Sequence, residues 1–161
     1  MAQTQYPSYS PANGVGTSQI DTSVIQTKVV SLTNSEIKNL RATPKELVAA
    51  PSAGYMVQFI SASLFMDYGS NGLTESTDNL EIRWGAAGTA AATIECTGFI
   101  DQTADTMIHA YPAAAAALAK TVTDNKALVL QNNGDGEFGG NAANDTVMDV
   151  FVVYRIVPTG W

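Results

Sequence analysis

Near the C-terminus, residues 146–157 read TVMDVFVVYRIV. Every second side chain in this stretch is apolar, namely Met148, Val150, Val152, Tyr154 and Ile156. The positions between them include Asp149 and Arg155. Alternation with a period of two is typical of a β-strand that buries one face. We therefore predict a long strand here, with the apolar set turned towards a core.

Six further segments have the same strand character: residues 24–32, 46–50, 55–68, 80–84, 93–96 and 127–131. The segment 55–68 is so long that we expect a bend or bulge within it. The chain has too few helical segments to connect parallel strands, so the sheets are expected to be antiparallel. This pattern predicts an all-β fold, an antiparallel jelly-roll β-sandwich of two four-stranded sheets.

Helical signals are few and short. Thr33 and Glu36 match a capping box, which predicts a short helix at 34–40. Thr43 and Glu46 match a second capping box, but Pro51 ends that run early, so we favour a strand at 46–50. Residues 103–109 suggest one helical turn. One or two short helices are therefore expected.

The alternating faces also predict the core. Its expected members are Ile60, Leu64, Met66, Leu80, Ile82, Ile94, Leu128, Leu130, Met148, Val150, Val152 and Tyr154. The alternate positions, such as Glu81 and Arg83, are expected on the opposite, outward face of the same strands.

The N-terminus differs from the rest of the chain. Residues 1–20 contain no Asp, Glu, Lys or Arg and show neither helical nor strand periodicity. We interpret residues 1–22 as an extended N-terminal arm and residues 23–161 as the folded domain. Tyr6, Pro7, Tyr9 and Pro11 are stiff or apolar contact residues, so we expect them to bind another protein surface, such as a neighbouring subunit. The alternative is a flexible terminus without a role.

The composition limits the classes of partner. Only 14% of the 161 residues are charged, against about 25% in a typical soluble protein, which suggests a surface covered by partners. Eight basic residues are scattered among fifteen acidic ones, giving a net charge of −7, so nucleic-acid binding is not expected. No apolar run approaches the length of about 18 residues that a membrane helix needs, and no secretory signal is expected.

The composition also limits the chemistry. A single cysteine, Cys96, excludes an internal disulfide, and a single histidine, His109, excludes sites that need two. We interpret Cys96 as an inward-facing small apolar residue. His109 could act as a base only together with a nucleophile such as serine, and the sequence lacks the G-x-S-x-G motif that often holds a catalytic serine. An enzyme that acts on polysaccharide would need two carboxylates in a cleft, whereas most acidic residues here are expected in turns or on outward positions.

A glycine-rich segment near residue 136 permits two other interpretations. Residues 134–139 match G-x-G-x-x-G, but a dinucleotide site needs a helix after the motif, and a strand follows. Oxygen ligands for Ca²⁺ are present at Asn133, Asp135, Glu137, Asn141 and Asp145, yet Phe138 replaces the glycine that an EF-hand requires. We favour a solvated loop between two strands. We therefore predict no enzymatic activity, no cofactor and no metal.

Several segments resemble a known family. They are IKNLRATP at 37–44, LVAAP at 47–51, ISASL at 60–64 with DYG at 67–69, GFIDQT at 98–103, ALVLQNNG at 127–134 and GEFGGN at 136–141. Together they resemble the capsid decoration, or cement, proteins of tailed bacteriophages.

The resemblance implies a structural virion protein with a jelly-roll β-sandwich. Such a protein is made in the host cytoplasm, binds the outer surface of the capsid and stabilises the mature head. The implied partners are the major capsid protein and the protein itself, as a homo-oligomer and most often a trimer, without nucleic acid or membrane. No catalytic residue is implied. With this family as a guide, the arm residues Tyr6, Pro7, Tyr9 and Pro11 are expected to bind the capsid or a neighbouring subunit. The alternative function is a tail or fibre-associated module that contacts other virion proteins or a host surface.

Overall fold

A computed structural model describes residues 24–75, 79–113 and 118–160. The arm residues Tyr6, Pro7, Tyr9 and Pro11 thus lie outside the described part. The described chain forms ten strands and two short helices. In chain order these are β1 (Gln26–Leu32), α1 (Asn34–Lys38), β2 (Lys45–Val48), β3 (Tyr55–Asp67), β4 (Leu73–Thr74), β5 (Asn79–Trp84), β6 (Ala90–Glu95), β7 (Thr106–Ala110), α2 (Lys120–Thr123), β8 (Leu128–Asn132), β9 (Gly139–Gly140) and β10 (Val147–Pro158).

Eight of the strands form two four-stranded antiparallel sheets. Sheet I has the strand order β1-β10-β3-β7, and sheet II has the order β2-β8-β5-β6. Strands β4 and β9 form a separate two-stranded ribbon. Alternate side chains of sheets I and II contribute to one hydrophobic core, as in a β-sandwich. The prediction of an all-β, antiparallel fold is therefore confirmed.

The core agrees closely with the alternation in the sequence. Ten of the twelve predicted members are buried: Leu64, Met66, Leu80, Ile82, Ile94, Leu128, Leu130, Met148, Val150 and Val152. Tyr154 is partly buried and packs against the core. Only Ile60, which is half-buried, was placed on the wrong face.

A β-bulge in β3 explains the position of Ile60. Val153 of β10 lies opposite Ser61, whereas the next residue, Tyr154, lies opposite Phe59, so Ile60 has no partner in the register. The extra residue reverses which positions face inward, and Val57 and Phe59 are buried instead. The bulge expected within this long strand is thus confirmed.

The local helix predictions had mixed outcomes. Helix α1 forms as expected. Strand β2 also forms as we favoured, although the capping box at Thr43 and Glu46 indicated a helix there. The helical turn expected at 103–109 is wrong, because Thr106–Ala110 is strand β7. There Ile108 lies opposite Leu64 and Ala110 opposite Ala62 of β3. Pairing along the edge of sheet I supplies the hydrogen bonds that an isolated helical turn would have made internally.

The capping box of α1 is complete. The Thr33 backbone N–H donates to Glu36 Oε2 at 2.9 Å, and the Glu36 N–H donates to Thr33 Oγ1 at 3.4 Å. The Lys45 ammonium at the start of β2 forms an ion pair with Glu36 Oε1. The hydrogen bond from Lys45, and next the one from the Thr33 backbone, lower the pKa of Glu36 from 4.5 to about 2.

Glu36→Gln is expected to make the stability less dependent on acid pH. Because folding lowers the pKa of Glu36, its stabilising effect is complete above pH 4.5 and is lost as the pH falls towards 2. The side chain of Glu36 is 43% exposed, so solvent screening limits the effect to less than about 1 kcal/mol. Urea denaturation of both proteins between pH 7 and pH 2 measures it. Glu46→Gln, an exposed position of β2, is the control, and parallel curves for Glu36→Gln and the unmodified chain would contradict the prediction.

Candidate docking surface

The outer face of sheet I carries a group of exposed apolar side chains. We call this group the apolar stripe; its members are Val29, Phe65, Met107, Val147 and Phe151. These five residues are half of the ten large apolar side chains that are exposed in the described part of the chain. Each of the four strands of sheet I contributes at least one member. Contiguous apolar surface of this kind is typical of sites that bind another macromolecule.

The register of the strands makes the stripe continuous. Val29 lies opposite Phe151 on the neighbouring strand β10, and Phe65 lies opposite Met107 on β7. Phe65 and Phe151 join these two pairs, with ring centroids 5.2 Å apart and an interplanar angle of 71°. An edge-to-face aromatic pair has few rotamers to lose on binding, so it is suited to anchor a partner.

The outer face of sheet II has a different character. Its side chains include Glu46, Thr93 and Glu95, which are exposed. Arg83 lies 3.4 Å from Glu81 and donates hydrogen bonds to Gln131 Oε1 at 3.3 Å and to the Gly88 carbonyl. These polar groups satisfy one another within sheet II. The exposed apolar surface is therefore concentrated on sheet I.

Glu81 is more buried than the sequence predicted. It does lie on the outer side of β5, but only 9% of it is exposed. Arg83 pairs with one carboxylate oxygen and the Asn133 amide donates to the other at 3.0 Å. The outward face predicted for Glu81 is thus correct, but Arg83 of the same strand and Asn133, which is distant in sequence, cover its carboxylate.

A groove crosses one end of the apolar stripe. Its volume is about 390 Å³, and its apolar lining includes Phe65, Met107 and Val147. Three carboxylates also line it: Asp67, Asp105 and Asp149. We call this feature the acidic groove. Asp105 accepts a hydrogen bond from the Tyr68 backbone at 3.0 Å, and Asp149 accepts one from the Ser31 hydroxyl. Neither the Lys45–Glu36 nor the Arg83–Glu81 ion pair involves any of the three.

The described chain begins at an edge of sheet I. Val24 and Ile25, the first two described residues, are exposed and lead directly into β1, an edge strand of sheet I. The sequence did contain a signal for the stripe, since Val147 and Phe151 are apolar at outward positions of the quoted segment. Alternation predicts which face of a strand is buried. It does not predict that apolar residues on the opposite face will form one exposed surface with those of neighbouring strands.

The glycine-rich loop is largely solvated, as we predicted, since eight of residues 133–145 are exposed, but two of its residues anchor it to the protein. Phe138 and Asn141 in it are buried. The Asn141 amide donates to Asp145 Oδ1 at 3.0 Å and to Thr146 Oγ1 at 2.7 Å. Gly140 has a φ of +74°, and a side chain there would approach the Gly72 carbonyl to 2.7 Å. The G-x-G-x-x-G segment thus leads into strand β9, without the helix that a dinucleotide site requires.

The acidic side chains of this loop also have internal partners. Glu137 accepts hydrogen bonds from the backbone N–H groups of Arg41 and Ala42, at 3.1 and 2.8 Å. Hydrogen bonds from Asn141 and Ser70 hold the pKa of Asp145 below its usual value. Within the described ranges, His, Cys, Asp and Glu form no group of three that could hold a metal ion.

Cys96 and His109 occupy different environments. Cys96 is fully buried in the core, on the inward position that we predicted. His109 is exposed on the outer face of β7, where its Nδ1 and the Ser63 hydroxyl share a hydrogen bond of 2.9 Å. Among the described hydrogen bonds, none joins the His109 ring to a carboxylate. A Ser-His-carboxylate arrangement is therefore not formed by these residues.

No helix in the described part of the chain is long and apolar enough to cross a membrane. A scan against family models and searches of curated proteins and of solved structures found no match to this chain.

Proposed function

We propose that this protein is a capsid decoration protein, which binds the outer surface of a bacteriophage head and stabilises its mature form. The observation that carries the proposal is the apolar stripe, an exposed face suited to a second protein. The sequence resemblance to cement proteins of tailed phages supports the choice of partner, the major capsid protein. The runner-up is a tail or fibre-associated module that uses the same face.

The strand order supports a jelly-roll topology for the sandwich. Strand β1 pairs with β10, β2 with β8, β3 with β7 and β5 with β6, all antiparallel. The first long strand thus pairs with the last, and each later pair is nested within the previous one. A long antiparallel ribbon that rolls up into two four-stranded sheets produces this nesting.

The net charge of the protein, and the way in which binding stabilises a lattice, both support a position on the outside of the capsid. A net charge of −7 is unfavourable beside packaged DNA and compatible with the outer surface. A protein that binds only the mature lattice stabilises that lattice in proportion to its binding free energy, without any catalytic group. We include a homotrimer in the proposal, since a low content of charged residues suits contacts between copies.

Cosedimentation with mature heads tests the proposal. The full chain is expected to pellet with heads, and not with purified tails or host cells. A chain that begins at Asp21 is expected to keep the melting temperature of the full chain, because the core begins in β1. It is expected to bind heads at least about tenfold more weakly, as loss of about 1.4 kcal/mol of contacts would produce.

Each contrary outcome has a distinct meaning. Binding to tails or cells alone would replace the proposal with its runner-up. Failure of the Asp21 chain to fold would show that the arm belongs to the sandwich. Unchanged folding together with unchanged retention through a salt wash would show that the arm has no role in attachment.

A further inference from the structure

The acidic groove combines apolar walls with negative charges that no described ion pair balances. Phe65, Met107 and Val147 provide the apolar lining, and Asp67 and Asp105 are exposed at its margin. A purely apolar segment placed there would desolvate these carboxylates without a partner, which is costly. A segment that carries a cation would pair with them instead.

Three of the basic residues of this protein are already engaged elsewhere. The Lys38 ammonium donates to the Asn141 carbonyl at 3.0 Å and to Asn144 Oδ1 at 3.1 Å. Lys45 pairs with Glu36, and Arg155 donates to Gln58. The protein itself therefore does not neutralise the acidic groove through these residues.

A fourth basic residue, Lys28, belongs to sheet I but lies on its other side. Lys28 precedes Val29 in β1, and successive side chains of a strand point to opposite faces. Since Val29 belongs to the apolar stripe, Lys28 is turned away from the face that carries the acidic groove.

Two occupants from the same protein fit the groove poorly. The arm has no Lys or Arg within residues 1–20, so it offers no cationic side chain. A second copy is itself acidic, with a net charge of −7, so it matches the charge of this groove less well than a basic segment of another protein does. Charge complementarity therefore favours a different protein.

We infer that the acidic groove binds a Lys or Arg side chain that projects from an apolar segment of the capsid protein. The aliphatic stem of that residue would lie against Phe65 and Met107, and its charged end would meet Asp67 and Asp105. A groove of about 390 Å³ is near the lower end of the range for binding pockets, about 300–1,000 Å³, and suits one anchor residue with its neighbour. This inference rests on the proposed function for the identity of the partner.

A pair of small probes tests the recognition directly. N-acetyl-leucyl-arginine amide and N-acetyl-leucyl-glutamine amide are titrated separately into the full chain, and NMR follows the Met107 methyl group and the Phe65 ring. The arginine probe is expected to bind roughly fivefold more tightly, since exposed charge pairs contribute modestly. Added salt should reduce the difference.

Variants connect the preference to the two carboxylates. Asp67→Asn combined with Asp105→Asn is expected to abolish the preference for arginine, while the amide oxygen introduced by Asp105→Asn can still accept the hydrogen bond from the Tyr68 backbone. Glu95→Gln, an exposed position of sheet II, is the matched control and should keep the preference. Equal binding of both probes, or shifts confined to other surfaces, would overturn the inference. Concentration-dependent shifts without any probe would show that a second copy covers the groove, which would also overturn it.

Mature heads separate this inference from the proposed function. Heads that bind the unmodified chain and the double Asp→Asn variant equally would leave the decoration role in place and refute the groove as the contact. Failure of the unmodified chain to bind heads, together with a clear preference for the arginine probe, would refute the capsid as partner and retain the cation site.

Discussion

Replacing Val152 with aspartate is expected to leave the protein unable to fold. Val152 is 1% exposed in β10, which lies between β1 and β3 within sheet I. An aspartate there would place an unpaired carboxylate in the core, at a cost of several kcal/mol. Because a domain of this kind is stable by only about 5–15 kcal/mol, we expect insoluble protein or loss of the cooperative urea transition. Circular dichroism and urea denaturation measure the result.

Val29→Asp is the matched control for this experiment. Val29 belongs to the neighbouring strand of the same sheet, but its side chain lies on the outer face and is 50% exposed. The same chemical change there should alter the free energy of unfolding by about 1 kcal/mol or less. A soluble Val152→Asp protein with an unchanged melting temperature would contradict the assignment of the buried face.

The second large effect concerns binding. The double variant Phe65→Thr and Phe151→Thr is expected to keep the fold and to bind mature heads at least about a hundredfold more weakly, since buried aromatic anchors often contribute about 2 kcal/mol or more each. Threonine suits an exposed strand position, so the melting temperature should change little. Tyr55→Thr, an exposed aromatic residue outside the apolar stripe, is the control and should bind heads normally.

Light scattering on the double variant distinguishes two uses of the stripe. If the unmodified chain is a trimer and the double variant remains one while it loses binding to heads, the stripe contacts the capsid. Dissociation into monomers with normal retention on heads would place the stripe between copies and contradict the prediction. Normal association and normal retention together would show that the stripe is not a docking surface.

The sequence by itself determined the features that depend on local periodicity and local hydrogen bonds. Alternation in residues 146–157 predicted the buried face of β10, and the same rule identified the inward residues of β5 and β8. The Thr33 and Glu36 pair located α1, because a capping box joins groups only three residues apart. These features can be predicted from sequence because each depends only on residues that are close together in the chain, within one strand or one helical turn.

The tertiary structure alone decided which residues meet across the sheets. The bulge at Ile60 depends on the register with β10, almost a hundred residues away, and β7 forms a strand because β3 offers an unpaired edge. The apolar stripe and the acidic groove are built from β1, β3, β7 and β10, which are adjacent only after the chain has folded. Burial of Glu81 likewise requires Asn133, 52 residues away along the chain, to reach the Glu81–Arg83 pair of β5. Local alternation records which side of a strand a residue occupies, but the identity of its neighbours on that side depends on long-range pairing, whose register is set by the packing of the whole core.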